Sequence, residues 1–238
     1  MSRFVLVHGA WHGAWCWSRL APLLEGMGHE VVAFDLPGHG DDATDVHDVS
    51  LQAYTDRIVR ELDRSEEPAV LVAHSMGGVP ATQAAGARPE AVAKLVYLTA
   101  FLLREGQTLL DVAGADEEAL VIPNLEFTED QSAATVKEEV IREAFYADLS
   151  EEDFRWATER LVPQAAAPFA TPVRIPEGFA RVPKAYVECA RDRAISLPVH
   201  LALHSSAGVG EVVTLETDHS PFLSAPEALA RELDRLAR

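Results

Sequence analysis

Residues 71–78 read Leu71-Val72-Ala73-His74-Ser75-Met76-Gly77-Gly78, an apolar run that ends in a serine between small residues and passes into a glycine-started segment. This is how a chain presents one hydroxyl on a sharp strand-to-helix turn, free of its neighbours. The pattern is a variant of G-x-S-x-G, with Ala73 at the first glycine position and Gly77 at the second. Both flanking positions must be small because the backbone crowds itself around the serine.

Outward from that turn, short apolar runs alternate with amphipathic stretches of helical length. Strands are expected at 4–8, 31–35, 69–74, 95–100, 184–189 and 211–216, and their density of Val, Ile and Leu implies burial on both faces. Leu20, Leu23, Leu24 and Met27 form one helical stripe that Gly28 is placed to end. Leu51, Tyr54, Ile58 and Leu62 form another behind a Ser50 N-cap. Ser224-Ala225-Pro226-Glu227 reads as a capping box opening a last helix that buries Leu229, Leu233 and Leu236. The alternation predicts an α/β fold: a mostly parallel six-stranded sheet covered by helices through right-handed crossovers.

Residues 104–182 break this rhythm. They offer no convincing buried strand, helix-prone segments at 137–145 and 151–161 (the second behind Ser150), and proline-rich text from Pro163 to Pro176. The expectation is a core formed by 1–103 and 183–238 and a helical cap over the sheet's carboxyl edge formed by 104–182. The apolar residues Leu120, Val121, Ile122, Phe127 and Phe145 suggest either a hydrophobic pocket or the core of that cap, and the cap core is the favoured reading.

Composition narrows the partners. With 38 acidic and 20 basic residues the formal charge is −18. Such a surface repels nucleic acid and anionic membranes. The apolar run that follows Met1-Ser2-Arg3 is too short for a signal-peptide core or a membrane span. Cys16 and Cys189 lie far apart without metal-ligand spacing, so reduced thiols and a cytoplasmic location are expected. The oligomeric state is left open, a homodimer included.

In an open parallel sheet, ligands and chemistry collect beyond the carboxyl ends of the strands. Ser75 lies there and requires a base, because an unassisted hydroxyl is a poor nucleophile. His219, in Thr217-Asp218-His219-Ser220-Pro221 just past the last strand, is the best-placed base. A carboxylate must hold its tautomer, and Asp192, three residues past the 184–189 strand, is the candidate. Asp218 and Asp35 are read as turn and loop residues, and the 95–100 strand runs into Phe101-Leu102-Leu103 without an acid. The order Ser75, Asp192, His219 is that of α/β-hydrolases. Backbone amides of Met76, at the start of the helix after the serine, and Ala10, in the loop after the first strand, are the expected oxyanion donors. Gly9, Trp11, His12 and Ser220 are candidates for the substrate pocket. His8, His12 and His74 match no zinc spacing, so no metal is expected and the histidines are read as satisfied loop residues.

The residues from Phe4 to Trp15, FVLVHGAWHGAW, resemble the opening of the plant methylesterase and hydroxynitrile lyase family within the α/β-hydrolases. The similarity continues through Leu23–His29, Ala73–Gly78, Tyr186–Asp192 and Asp218–Pro221, and bacterial esterases including pyrethroid-type ester hydrolases are similar too. The resemblance covers both ends of the chain well and the central insertion poorly. It implies a six-stranded sheet with a helical cap, no metal and no organic cofactor, and a small-molecule carboxylic ester or lactone as substrate. It also holds a second chemistry, cyanohydrin cleavage. Members with that activity carry threonine or asparagine where this chain has Gly9, and one branch has a lysine where it has Ser220; both residues here fit the esterase pattern. A third alternative is a ligand-binding receptor that keeps the hydrolase fold, from which turnover would distinguish an enzyme.

Overall fold

The computed structural model describes residues 1–238. Its main sheet has six strands: β1 (Arg3–Val7), β2 (Glu30–Ala33), β3 (Ala69–His74), β4 (Val92–Leu98), β8 (Lys184–Cys189) and β9 (Glu211–Leu215). They lie in the order β2-β1-β3-β4-β8-β9, and every pairing is parallel. Each expected strand is present, with ends shifted by at most a few residues. Burial on both faces holds for the inner strands, where β1 and β3 are buried along their whole length. It fails at the edges. Val31 and Val32 of β2 are only half-buried, and β9 alternates between covered and exposed residues, because an edge strand has one neighbour instead of two.

Helices α1 (Ala21–Gly26), α2 (Leu51–Leu62), α3 (Gly78–Ala87), α8 (Leu197–Ser206), α9 (Pro221–Ser224) and α10 (Pro226–Leu236) belong to the parts of the chain that build this sheet. The Ser50 hydroxyl caps α2 by accepting the Ala53 amide at 3.1 Å. Gly28, at φ +90°, takes the left-handed turn that stops α1. The capping box at Ser224 does not form. Ser224 instead closes the short helix α9, and its hydroxyl donates to Asp218 Oδ1 (2.7 Å) and to the Ser220 carbonyl (3.1 Å), which leaves α10 to start behind Ala225 without a side-chain cap. Leu229, Leu233 and Leu236 are fully buried as expected.

Residues 104–182 contain α4 (Leu109–Ala113), α5 (Glu138–Phe145), α6 (Glu151–Thr158) and α7 (Ala167–Ala170), so the helix-prone reading of 137–145 and 151–161 corresponds to α5 and α6. Ser150 caps α6 through the Asp153 amide (3.1 Å). The expectation of no strand is overturned. Strands β5 (Leu125–Phe127), β6 (Ala133–Val136) and β7 (Gln164–Ala165) form a small antiparallel sheet in the order β5-β6-β7. Two to four residues per strand leave too little period-two pattern to be read from sequence. No helix is long and apolar enough to cross a membrane.

Leu95 sits at the centre of β4, fully buried. Leu95→Ala is expected to lower stability by ~2–5 kcal/mol through lost burial and an unfilled cavity, read as a reduced urea midpoint with an unchanged slope.

Candidate active site

Ser75 begins a short 3-10 turn between β3 and α3, and its φ of +53° lies in the left-handed region. A non-glycine residue held there costs on the order of 1–3 kcal/mol and persists only where its surroundings enforce it. They do so on three sides. The Ser75 carbonyl accepts the Phe101 amide at 3.1 Å. Gly77 passes so close to β1 that a Cβ there would stand 2.5 Å from the His8 carbonyl oxygen. Gly9 lies against the turn itself, where a Cβ would stand 2.7 Å from Ser75 Cβ and 2.9 Å from His74 Nδ1. Gly77 is thus required by close contact with the backbone after β1, and Gly9 by its contact with the Ser75 and His74 side chains.

Asp192 and His219 meet: His219 Nδ1 donates to Asp192 Oδ2 at 2.7 Å, and both residues are buried. The other carboxylate oxygen, Oδ1, accepts the amides of Ala194 (2.7 Å) and Ile195 (3.0 Å). Burial by itself would raise the Asp192 carboxyl, but the charge of His219 and the hydrogen bonds from His200 and His219 outweigh it and hold the carboxyl well below its ordinary range. His219 is set against the serine turn from the other side. Its carbonyl accepts His74 Nε2 at 3.0 Å, and the two imidazole rings lie 4.6 Å apart. Ser75 and His219 are not themselves joined by a hydrogen bond, and catalytic contacts of this kind characteristically tighten only in the complex with substrate.

Ser75 opens onto a cleft whose lining is hydrophobic at 12 of 13 residues. Ala10, Trp11 and Met76 line it beside Ser75. The Ala10 amide donates to no carbonyl of the chain, and the Met76 amide belongs to the first turn after β3, where amides have no acceptor within the helix. Phe101 comes from the sheet edge, while Leu109, Val121, Ile122, Phe145 and Phe169 come from residues 104–182. Val121, Ile122 and Phe145, expected in the interior of that segment, therefore face the cleft, whereas Phe127 is exposed. Of the four pocket candidates only Trp11 is part of the wall. Gly9 lies against the serine turn, and Ser220 is fully buried and does not line the cleft.

His12 also stands behind the wall, for a specific reason. Its Nδ1 donates to the Ala10 carbonyl at 2.7 Å and its Nε2 accepts the Tyr146 hydroxyl at 2.8 Å. Burial pushes its pKa down to about 3, so the ring is neutral, in keeping with that tautomer. Two further bonds tie the same loop to residues 104–182: Trp11 Nε1 donates to the Ala134 carbonyl (2.8 Å), and the Val162 amide donates to the Trp11 carbonyl (3.0 Å). Trp11 itself is held at φ +62°.

His8 accepts the Leu36 amide (3.1 Å) and pairs with the Gly9 carbonyl (2.8 Å), and no group of three or more His, Cys, Asp or Glu side chains is placed to hold a metal ion. Asp35 accepts the amides of Ala14 (2.6 Å) and Asp41 (3.1 Å), and Asp218 accepts those of Asp148 (2.9 Å) and Ser220 (3.1 Å), so both acids organise loops. Sequence reasoning missed two groups. Thr99, just past β4, donates its hydroxyl to Asp192 Oδ2, and His200 on α8 stands 3.1 Å from the same oxygen. An isolated threonine and a histidine inside a helical stretch carry no signal that either would meet Asp192.

Comparison with known proteins places these features in context. A family model described as the alpha/beta hydrolase family matches residues 4–232. Methylesterase 9 of Arabidopsis thaliana is 29% identical over 255 residues, covering 100% of this chain and 98% of its own. The pyrethroid hydrolase of Sphingobium wenxiniae is 30% identical over 238 residues, covering 96% and 85%. Among solved structures, a pyrethroid hydrolase from Sphingobium faniae superposes with a TM-score of 0.89 at 28% identity, covering 99% of this chain and 97% of that one.

His8, His12, His39 and His74 are all buried with lowered pKa, burial being the largest cause in each. Unfolding frees them to bind protons below their ordinary value of about 6.5, so stability is present above that pH and is lost as pH falls toward 3. Equilibrium unfolding in urea is expected to show a midpoint that is flat from pH 8 to 7 and declines steadily below 6.5, with His12→Gln giving a shallower decline.

Proposed function

The chain belongs to the alpha/beta hydrolase family, and we propose that within it the protein is a serine carboxylesterase that cleaves small, apolar, uncharged esters through an acyl-enzyme. The observation that carries this reading is Ser75, held at φ +53° at the head of α3 and opening onto the hydrophobic cleft between Ala10 and Met76. A strained serine at such a turn presents its hydroxyl to a carbonyl carbon, and the amides of Ala10 and Met76, which line the cleft beside it, are the donors proposed for the carbonyl oxygen.

In the proposed mechanism His219 takes the proton of Ser75 as the hydroxyl oxygen attacks the ester carbonyl, and Asp192 holds the ring through Nδ1 and stabilises the imidazolium. The amides of Ala10 and Met76 stabilise the oxyanion, a contribution of ~3–4 kcal/mol for a single such donor elsewhere. His219 then gives its proton to the leaving alcohol, and water, activated by the same ring, releases the acid. Residues 104–182 act as a cap that supplies half of the apolar wall and, through Tyr146, Ala134 and Val162, holds the Ala10–His12 loop in register with Ser75.

The cleft carries no cation to hold a charged substrate group, which favours neutral esters with hydrocarbon or aryl parts. Cyanohydrin cleavage is disfavoured. Gly9 leaves no side chain to hold a cyanohydrin hydroxyl, a Cβ at that position would collide with Ser75 and His74, and Ser220 brings no charge for developing cyanide. The names borne by the relatives, methylesterase and pyrethroid hydrolase, describe ester cleavage and support the same reading.

A p-nitrophenyl ester should show steady turnover with a pre-steady-state burst of nitrophenol. Ser75→Ala should lose on the order of 10⁶-fold in kcat and Asp192→Asn on the order of 10⁴-fold; substantial turnover by Ser75→Ala would sink the assignment. Gly9→Ala should leave the circular dichroism spectrum unchanged yet cost on the order of 10²-fold in kcat/KM, because its methyl displaces the serine turn.

A further inference from the structure

Asp192 is shared by two histidines. His219 Nδ1 reaches its Oδ2 at 2.7 Å and His200 Nε2 reaches the same oxygen at 3.1 Å, with the Thr99 hydroxyl as a third donor. His200 is fully buried and does not line the cleft.

The hydrogen bonds around His200 define its protonation. At one end, Nε2 lies 2.9 Å from Thr99 Oγ1 and 3.1 Å from Asp192 Oδ2. The single hydroxyl proton of Thr99 is directed at Asp192, so both oxygens present only lone pairs to Nε2, and this nitrogen must carry a proton. At the other end, Nδ1 lies 2.8 Å from the Tyr186 hydroxyl. Tyr186 donates its only proton to the Ala100 carbonyl at 2.6 Å, the one hydrogen bond that this buried carbonyl receives. Turning that proton toward His200 would strand the carbonyl, at the cost of a buried unpaired acceptor. Nδ1 must then be a donor as well.

We propose that His200 is a doubly protonated imidazolium that shares the Asp192 carboxylate with His219, a positioning residue that limits how strongly Asp192 holds a protonated His219 and so sets the lower pH limit of ester hydrolysis. The role rests on the esterase reading above; the charge state does not. With His200 cationic, Asp192 and His200 together carry no net charge. His219 gains a proton beside a neutralised pair rather than beside a lone carboxylate, and the two rings repel when both are charged. The base is thereby kept free of its proton to lower pH.

The other groups around His200 are consistent with a cation there. Tyr186 on β8 and Thr99 after β4 offer it oxygen lone pairs, and Asp192 supplies the countercharge. His204, one turn along α8, is engaged by Glu188 at 3.0 Å, and Asp116 faces the start of the helix, accepting the Ser196 amide at 2.8 Å. His219, across the carboxylate, is the only other basic group on Asp192.

Two measurements test this. In full-length wild-type and Ser75→Ala protein labelled with ¹⁵N-histidine, both ring nitrogens of His200 should be protonated at neutral pH; one unprotonated ring nitrogen overturns the proposal whether or not esters are cleaved. In His200→Gln, which keeps an amide donor toward Asp192 but no charge, the acid limb of kcat/KM should move to higher pH by about half a unit or more, with KM within about twofold of wild type. A merely structural role would lower activity without moving the limb, and an unmoved limb overturns the positioning role. If His200→Gln fails to fold, or if no ester is turned over, the nitrogen resonances of the wild-type protein still decide the charge, and absence of turnover counts against the esterase reading alone.

Discussion

A carboxylate without water around it must find every hydrogen bond it needs inside the protein, and the burial of Asp192 imposes that requirement on four separate parts of the chain. An unpaired ion in such a place costs several kcal/mol. Five donors meet the need: two amides from its own loop, the Thr99 hydroxyl from the end of β4, His200 from α8 and His219 from the turn after β9. Each donor belongs to an element whose position is otherwise set by the sheet. The order β4-β8-β9 brings three strand ends side by side, and Asp192 ties them at their carboxyl edge. His219 is oriented as a consequence, since its ring is fixed by Asp192 at Nδ1 and flanked by His74.

A second constraint acts on the opposite side of Ser75. The loop after β1 approaches the serine turn so closely in this chain that a Cβ would stand 2.7 Å from Ser75 Cβ at Gly9 and 2.5 Å from the His8 carbonyl oxygen at Gly77. Close approach alone would leave the loop free to tilt. It is held by His12, whose neutral ring joins the Ala10 carbonyl to Tyr146, and by the bonds that Trp11 makes to Ala134 and Val162. The strained backbone at Trp11 and Ser75 is enforced by these contacts. Residues 104–182 thus contribute to the geometry around Ser75 as well as to the wall of the cleft.

Legibility in the sequence followed the range of the interactions. The inner strands are readable because burial on both faces requires unbroken apolar runs, and Ser75 because it directly follows one; Asp192 and His219 lie three and four residues beyond the ends of β8 and β9. The edge strands β2 and β9 are legible as strands but not as edges, since being an edge is a property of strand order and not of composition. The Ser224 capping box failed because its hydroxyl has a better partner in Asp218, supplied by the preceding turn. The small sheet of 104–182 was missed because its strands are too short to carry a period.

The sequence by itself determined the fold class, the strand ends from which Ser75, Asp192 and His219 project, and the need for small residues around Ser75, because these follow from local periodicity and from steric exclusion at named positions. Only the tertiary structure decided that His12 braces the Ala10 loop instead of lining the cleft, that Val121, Ile122 and Phe145 face Ser75, and that Thr99 and His200 complete the surroundings of Asp192. His12 lies 134 positions from Tyr146 and Thr99 lies 93 from Asp192, while His200 stands eight positions from Asp192 across a loop and a helix start. Contacts of that kind depend on where the chain is carried by packing, which no local pattern records.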